Sequence, residues 1–278
     1  MSRSDATGPQ PFAFVRDALA GQGASVLGFI RHAGGAFLLA WGALRVLLST
    51  RFEPRASIYQ MNLLGVRSFG IAAATAVFVG IVMAIQFSFA LETFGAKDTV
   101  GRIVGLSFAR EFAPALTALV VGSRIAAGIA AELGSMAVTE QIDAIRALGA
   151  DPIKKLVVPR LIAGTLLMPL LSCFALVLGI LSAMLVSRVT FGIQMPFFLS
   201  TALDSITQPD YFGCLGKTPF FGFLTCLLGC HFGMRTRGGT EGVGTSTTTA
   251  VVVVSITILV ADAILTQLFL GILGLGSS

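Results

Sequence analysis

The sequence predicts an all-α integral membrane protein, and its composition is the first evidence. Of the 278 residues, 55% are hydrophobic and only 12% are charged, whereas an average soluble domain carries about 25% charged residues. Apolar runs long enough to cross a hydrocarbon core are the second observation, since a spanning helix needs roughly 20 residues. Five such runs are present, at about 69–91, 103–123, 161–187, 211–234 and 249–273.

The five predicted spans differ in how clearly the sequence marks them. The first and third runs carry no charge, and the third is the clearest. The second contains Arg110, Glu111 and Pro114, so hydropathy alone predicts it weakly. Lys217 lies near the start of the fourth, and Asp262 interrupts the fifth. We count all five because the strong asymmetry of basic residues between the two sides supports counting the weak second span.

The N-terminal region is predicted to lie on the membrane surface. Residues 1–25 are polar and do not have the pattern of a secretory signal peptide. An interfacial amphipathic helix is predicted within 26–60, because this apolar region also carries Arg31 and Arg45. Residues 61–278 then form the transmembrane domain.

Lysine and arginine positions predict the orientation. With the N-terminus in the cytoplasm, most of the 19 basic residues fall on the cytoplasmic side, and Lys97, Arg102 and Arg188 fall on the other. The net charge of +5 is then interpreted as orientation and attraction to anionic lipid. Nucleic acid is not expected as a partner, because the basic residues lie beside the spans.

No chemistry of its own is predicted for this chain. The stretch GCLGKT at 213–218 lacks the first glycine of a phosphate-binding loop and opens a span instead of following a strand. With only His32 and His231 available, no Ser-His-Asp or Cys-His arrangement can be proposed. Cys226 and Cys230 do not match a common zinc spacing. We therefore expect neither a catalytic residue nor a metal or cofactor bound by the chain.

Glu111 is the first candidate functional residue, because a charge within the bilayer is costly and is a functional-site hypothesis by default. Adjacent helical residues point about 100° apart, so Arg110 is not an obvious partner for it. A structural ion pair of Glu111 with Lys217 or Arg102 is the alternative interpretation. Pro114 removes a backbone donor and is expected to kink the helix.

A short polar helix is predicted at about 136–148, between the second and third spans. Thr139 is expected to cap it, with Glu140 in its first turn, and Gly149 is expected to end it. It is too short and too charged to cross a membrane. An apolar edge containing Ile142 suits docking into a groove of a soluble partner, and a solvated turn is the alternative.

Small residues predict close helix contacts in two places. Gly229 and Gly233 are four residues apart, and 126–131 is a run rich in alanine. Packing within one subunit and a face between two subunits are both compatible with this pattern.

Two blocks of sequence resemble the MlaE family of ABC-transporter permeases. They are REFAPALTALVVGSRIAAGIAAELGSMAVTEQIDAIRALGADPIKKLVVPR at 110–160 and GGTEGVGTSTTTAVV at 238–252. The resemblance covers about 58–273. It implies a homodimeric permease with an interfacial helix and five spans, two cytoplasmic ATPase subunits that bind ATP and Mg²⁺, MCE-domain proteins on the far side, and a lipid substrate, usually phospholipid.

The resemblance also implies roles for individual residues. It identifies 136–148 as the coupling helix that fits the ATPase, and 238–249 as a cytoplasmic connection to the last span. The implied ATPase contacts are Met136, Glu140, Gln141, Ile142 and Asp143. The residues implied to line a lipid cavity between two permeases are Met83, Gln86, Phe94 and Glu111. Phe94 stands where the best-known member of the family has an aromatic residue with a hydroxyl group.

The sequence therefore predicts a non-catalytic permease subunit of an ATP-driven lipid transporter in the bacterial inner membrane. The alternative from another class is a stand-alone secondary transporter in which Glu111 and Asp262 carry protons. Such transporters often contain inverted repeats, and five spans do not divide evenly into two halves.

Overall fold

The computed structural model describes residues 28, 31–47 and 54–272, and this part of the chain is almost entirely helical. Short segments lie between or within the long helices: a 3₁₀ turn at Lys97–Thr99 and π-helical segments at Phe108–Leu116 and Ile153–Val157. We number the α-helices of the described residues α1 (31–47), α2 (Pro54–Glu92), α3 (Val100–Ser107), α4 (Thr117–Val138), α5 (Gln141–Ala147), α6 (Val158–Phe191), α7 (Met195–Ser205), α8 (Gln208–Met234) and α9 (Gly239–Ile272).

Five helical stretches of the described chain are long and apolar enough to cross a membrane, which confirms the predicted number and order. They are Pro54–Glu92, Lys97–Val138, Ile153–Phe191, Gln208–Met234 and Gly239–Phe269.

Several helices are longer than the apolar runs predicted. Residues 54–60, which we expected in the interfacial region, form the first turns of α2, and proline is favoured at such a helix start. Residues 239–249, which we expected to be a connection, form the first turns of α9. The interfacial helix itself is represented by α1, and residues 1–27 lie outside the described part.

Glycines bring the long helices into backbone contact. A Cβ atom placed on Gly80 of α2 would overlap the Gly179 carbonyl of α6. On α8, a Cβ on Gly229 would lie 3.1 Å from Ala126 Cα of α4, and one on Gly233 would lie 3.1 Å from Ala130 Cα. The spacing of Gly229 and Gly233 therefore serves packing within one subunit.

Large apolar side chains cover much of the outside of the bundle. Phe78 on α2, Val189 on α6 and Ile264 on α9 are more than half exposed. Several of the closest contacts between helices are instead made at small residues such as Gly80 and Gly179, as is common for helices that associate in lipid. This distribution fits a bundle whose outer surface faces hydrocarbon.

Candidate functional site

Glu111 lies within the second span, inside the π-helical segment Phe108–Leu116. Pro114 stands in the same segment and has no backbone N–H to donate. The expected kink thus takes the form of a local widening of the helix, a feature frequent at functional sites.

Lys217 of α8 lies at the centre of a polar cluster that joins three spans. Its Nζ atom is 3.1 and 3.3 Å from the two Glu111 carboxylate oxygens and 3.4 Å from Asp262 Oδ1. It donates to Thr266 Oγ1 at 2.6 Å and to the Arg110 carbonyl at 3.3 Å. Thr266 in turn donates to Glu111 Oε1 at 3.2 Å. The ion pair with Lys217, one of the two structural alternatives, is therefore formed.

The members of this cluster differ in exposure. The Lys217 side chain is 4% exposed and that of Asp262 17%, whereas the Glu111 side chain is 41% exposed. Glu111 is thus the carboxylate that an incoming molecule can reach, and Lys217 and Asp262 lie behind it.

Arg110 makes a separate ion pair with the start of α8. Its Nε atom donates to Asp210 Oδ1 at 2.6 Å, and the Asp210 side chain is fully buried. The other oxygen of Asp210 accepts hydrogen bonds from the Thr207 backbone N at 2.9 Å and from the Thr207 hydroxyl at 2.6 Å. Asp210 and Thr207 together form a capping box at this helix start. Arg110 and Glu111 therefore have different partners, as their angular separation predicted.

The site holds more negative than positive charge. Three carboxylates, Glu111, Asp210 and Asp262, face two cations, Arg110 and Lys217. A carboxylate without a compensating charge is costly inside a membrane. The arrangement can therefore accept a proton, or a hydrogen-bond donor or cationic group of a ligand, at the exposed Glu111.

Asp210→Asn is expected to lower the free energy of unfolding by about 2 kcal/mol, because it leaves Arg110 without its charged partner while keeping the side-chain shape. Denaturant titration in detergent micelles measures this loss. Thr207→Ala is the control: it removes the hydrogen bonds of the capping hydroxyl, keeps the ion pair and should cost about 1 kcal/mol. If Asp210→Asn lowers the free energy of unfolding no more than Thr207→Ala does, the ion pair does not contribute to stability.

The other predicted cavity residues lie apart from this cluster in the single chain. Met83 packs on an apolar cluster that contains Phe108, Gln86 is exposed on α2, and Phe94 is 83% exposed in the turn after α2. The cleft beside Glu111 is lined by other residues. They are Arg110, Pro209, Asp210, Gly213, Cys214, Lys217, Thr266 and Phe269. A cavity shared with a second copy thus stays a prediction.

Some members of the cluster had a signal in the sequence and others had none. Lys217 and Asp262 stand out as charges within apolar runs. Thr207 and Thr266 are ordinary hydroxyl residues in a chain rich in them, so only the fold identifies them as partners. Arg102, the other suggested partner of Glu111, is exposed on α3.

The short helix between the second and third spans is present but shorter than predicted, as α5 covers Gln141–Ala147. The predicted cap is wrong: the Thr139 hydroxyl donates to the Ser135 carbonyl at 2.8 Å and ends α4. Glu140 follows in a left-handed conformation with φ of 58° and separates the two helices. Met136 consequently belongs to the last turn of α4.

The exposed side chains of α5 and its flanks form the surface that we predicted for docking. Glu140, Gln141 and Asp143 are exposed, whereas Ile142 is buried. The helix ends as expected near Gly149, whose φ is 76° and whose N–H donates to the Arg146 carbonyl.

The fold and the charged cluster define a polytopic membrane protein with polar groups held between its spans and a short helix at one end of the bundle. In the described part of the chain, no group of three or more His, Cys, Asp or Glu side chains is placed to hold a metal ion. The profile of the family described as Permease MlaE matches residues 57–268, so the chain belongs to this family.

Three relatives agree with this assignment. The "Probable ABC transporter permease protein slr1045" of Synechocystis is 40% identical over 84% of this chain and 89% of its own length. A "Probable ABC transporter permease protein" of Rickettsia felis is 33% identical over 89% of this chain and 95% of its own. "Protein TRIGALACTOSYLDIACYLGLYCEROL 1, chloroplastic" of Arabidopsis thaliana is 35% identical over 80% of this chain and 64% of its own.

Proposed function

We propose that this chain is the permease subunit of an ATP-driven transporter that moves phospholipid or a related lipid between the bacterial inner membrane and an MCE-domain protein. The observation that carries the proposal is the half-exposed Glu111 carboxylate, held within a span by the buried Lys217. Membership in the MlaE permease family supports it. One relative is also named after a diacylglycerol lipid.

The proposed cavity lies between two copies of the chain. A lipid headgroup that carries an ammonium or hydroxyl group donates to Glu111 and takes over part of the role of Lys217. The extra carboxylate of the cluster favours such a donor, because the two cations leave one negative charge without compensation. Met83 and Gln86 of α2, with Phe94 of the turn that follows it, complete the proposed cavity.

In the proposed orientation, α5 lies on the cytoplasmic side and contacts a soluble ATPase that binds ATP and Mg²⁺. Arg146 of α5 lines the same groove as Arg235 and Arg237, which follow α8. Three of the basic residues expected on the cytoplasmic side thus lie together at one groove, which supports this orientation. ATP drives transport because it binds two states of the complex with different affinity.

The double substitution Glu140→Lys with Asp143→Lys is expected to abolish copurification of the ATPase. It reverses two exposed charges beside the buried Ile142, so the contact surface of α5 repels its partner instead of attracting it. Affinity purification from the native host, followed by mass spectrometry, measures the ATPase, the MCE protein and the lipid in one sample.

The control for this experiment is Glu140→Gly. Glycine adopts the left-handed conformation of residue 140 without cost, so the chain direction is kept while one carboxylate is removed. This variant should retain most of the ATPase. Undiminished copurification with the charge-reversed variant would contradict the assignment of α5 as the coupling helix.

The proton-coupled alternative uses the same cluster, since Glu111 and Asp262 share the Lys217 ammonium. Proteoliposomes that contain only this chain discriminate between the two functions. Lipid movement driven by a pH gradient without an ATPase would favour the alternative. Movement that requires the ATPase and ATP supports the permease.

A further inference from the structure

Two adjoining cavities lie where α1, α5 and the end of α8 meet, and the charged cluster around Glu111 contributes no residue to either. Their volumes are about 410 and 510 Å³, and both are lined by Arg146, Met234 and Arg235. Together they form a groove along α1. The basic side chains that line it, which define the basic groove, are Arg31, His32, Arg146, Arg235 and Arg237.

Among the described residues, the basic groove has little negative charge to balance its four arginines. The described residues that line the larger cavity include four arginines and no carboxylate. Asp151 contributes one negative charge to the smaller cavity, and its Oδ1 atom accepts a hydrogen bond from the Ile153 backbone N at 2.9 Å. Arg146 has a partner in Asp143 at 2.9 Å, an exposed pair of small energetic value.

The remaining arginines are available for a ligand. Among the residues that the structure describes, Arg31, Arg235 and Arg237 form no ion pair. Guanidinium groups gathered in one groove repel one another. Their planar donors match the oxygens of a phosphate group, which several of them can bind together.

The walls of the basic groove are fixed by close contacts between α1 and α8. A Cβ atom on Gly35 would lie 2.5 Å from Arg235 Nη1 and 2.6 Å from His231 Cε1. His32 Nδ1 lies 3.4 Å from Nε2 of the buried His231. Arg235 is therefore packed against the backbone of α1, and this contact forms one wall of the groove.

We propose that the basic groove binds the phosphate group of an anionic membrane lipid, as a site distinct from the lipid cavity at Glu111. The source of the phosphate follows from α1, whose Phe37 and Trp41 are 70% and 57% exposed. Tryptophan and large apolar residues beside basic ones are typical of the boundary between lipid and water. Basic pockets between helices at this depth suit lipid headgroups.

A lipid in the basic groove contacts both the surface helix α1 and Arg146 of α5. It therefore holds the segment that carries α5 against the membrane-facing part of the protein. The binding site itself does not depend on the proposed transport function, and its test needs no ATPase.

The test compares thermal unfolding of the full chain in nanodiscs of phosphatidylcholine with increasing fractions of phosphatidylglycerol. Native mass spectrometry counts the phosphatidylglycerol molecules retained. The wild-type midpoint should rise as phosphatidylglycerol is added. Arg235→Gln with Arg237→Gln should need at least about tenfold more of this lipid for the same rise, because hydrogen bonds between charged groups are lost.

Arg102→Gln with Arg188→Gln is the matched control. It removes the same net charge from two exposed positions outside the basic groove and should respond like the wild type. Equal responses of the two double variants would overturn the proposal, since only diffuse attraction to the surface would remain. The double variant Arg235→Gln with Arg237→Gln could fail to fold in phosphatidylcholine. In that case the phosphatidylglycerol response of Arg31→Gln, inside the groove, is compared with that of Arg102→Gln, outside it.

A second arm distinguishes the source of the phosphate. Inorganic phosphate and glycerol 3-phosphate are added to the protein in pure phosphatidylcholine nanodiscs. No rise in the unfolding midpoint is expected, because the lipid chains are missing. A rise equal to that with phosphatidylglycerol would overturn the lipid assignment in favour of a soluble phosphate compound.

Discussion

Lys217→Met is expected to lower the free energy of unfolding by about 3 kcal/mol, the size found when one partner of a buried ion pair is removed. Lys217 Nζ is the ammonium shared by Glu111 at 3.1 Å and Asp262 at 3.4 Å. Methionine fills a similar volume but leaves two carboxylates facing each other within the spans. Denaturant titration of the detergent-solubilised chain measures the effect.

The chain offers a matched control in Lys97→Met. Lys97 Nζ lies only 2.6 Å from Glu92 Oε1, but these side chains are 41% and 45% exposed. Because water screens an exposed pair, its loss should cost less than about 1 kcal/mol. If Lys217→Met costs no more than Lys97→Met, then Lys217 is not the electrostatic centre of the cluster.

A second substitution separates the structural role of Lys217 from the role of the cluster in transport. Lys217→Met with Asp262→Asn removes one positive and one negative charge, so much of the lost stability should return. Lipid transport by the reconstituted complex should stay impaired, because Glu111 has lost the cation that holds it in place. Full recovery of both stability and lipid transport would show that the cluster has only a structural role.

The five spans were predictable because burial in lipid leaves a direct trace in composition, namely long runs without charge. Their ends were less predictable. The first turns of α9 contain Thr247, Thr248 and Thr249, which look like a loop in sequence but whose hydroxyls bond to carbonyls four residues earlier. Such hydroxyls satisfy their hydrogen bonds within a helix as well as in a turn, so hydropathy cannot decide between the two.

The prediction of an N-cap for the short helix was wrong for a related reason. Thr139 has the residue type and position of an N-cap, yet its hydroxyl bonds back to Ser135 and ends the preceding helix. Local sequence allows both uses of the same hydroxyl. The left-handed conformation of Glu140 decides between the two uses. The sequence does not predict it, because glycine or asparagine is the usual residue at such a conformation.

The candidate site was predicted in part. A charged residue in an apolar run shows that a partner is needed, and the pairing of Glu111 with Lys217 was one of two alternatives considered. The pairing of Arg110 with Asp210 depends on where α8 begins relative to the second span. Residues so far apart in sequence give no pattern for this contact, so the structure was needed to find it.

Gly222→Val is expected to lower the free energy of unfolding by about 3 kcal/mol or more, the upper range for forcing atoms into a packed contact. A Cβ atom on Gly222 of α8 would overlap the Gly164 carbonyl of α6 and lie 2.9 Å from Met168 Cγ. A carbonyl cannot rotate away as a side chain does, so the two helices must separate. Thermal and denaturant unfolding in detergent measure the loss.

The matched control is Gly70→Val, because a Cβ atom on Gly70 would meet nothing within 4 Å. It adds the same side chain to another long helix and should leave the stability nearly unchanged.

The double variant Gly222→Val with Met168→Ala tests which contact causes the loss of stability. Removing the Met168 side chain should not restore stability if the Gly164 carbonyl is the obstacle, whereas recovery would show that the side-chain contact was limiting. Lys217 lies on the same helix as Gly222, so separation of α8 from α6 should also disturb the cluster at Glu111 and impair transport.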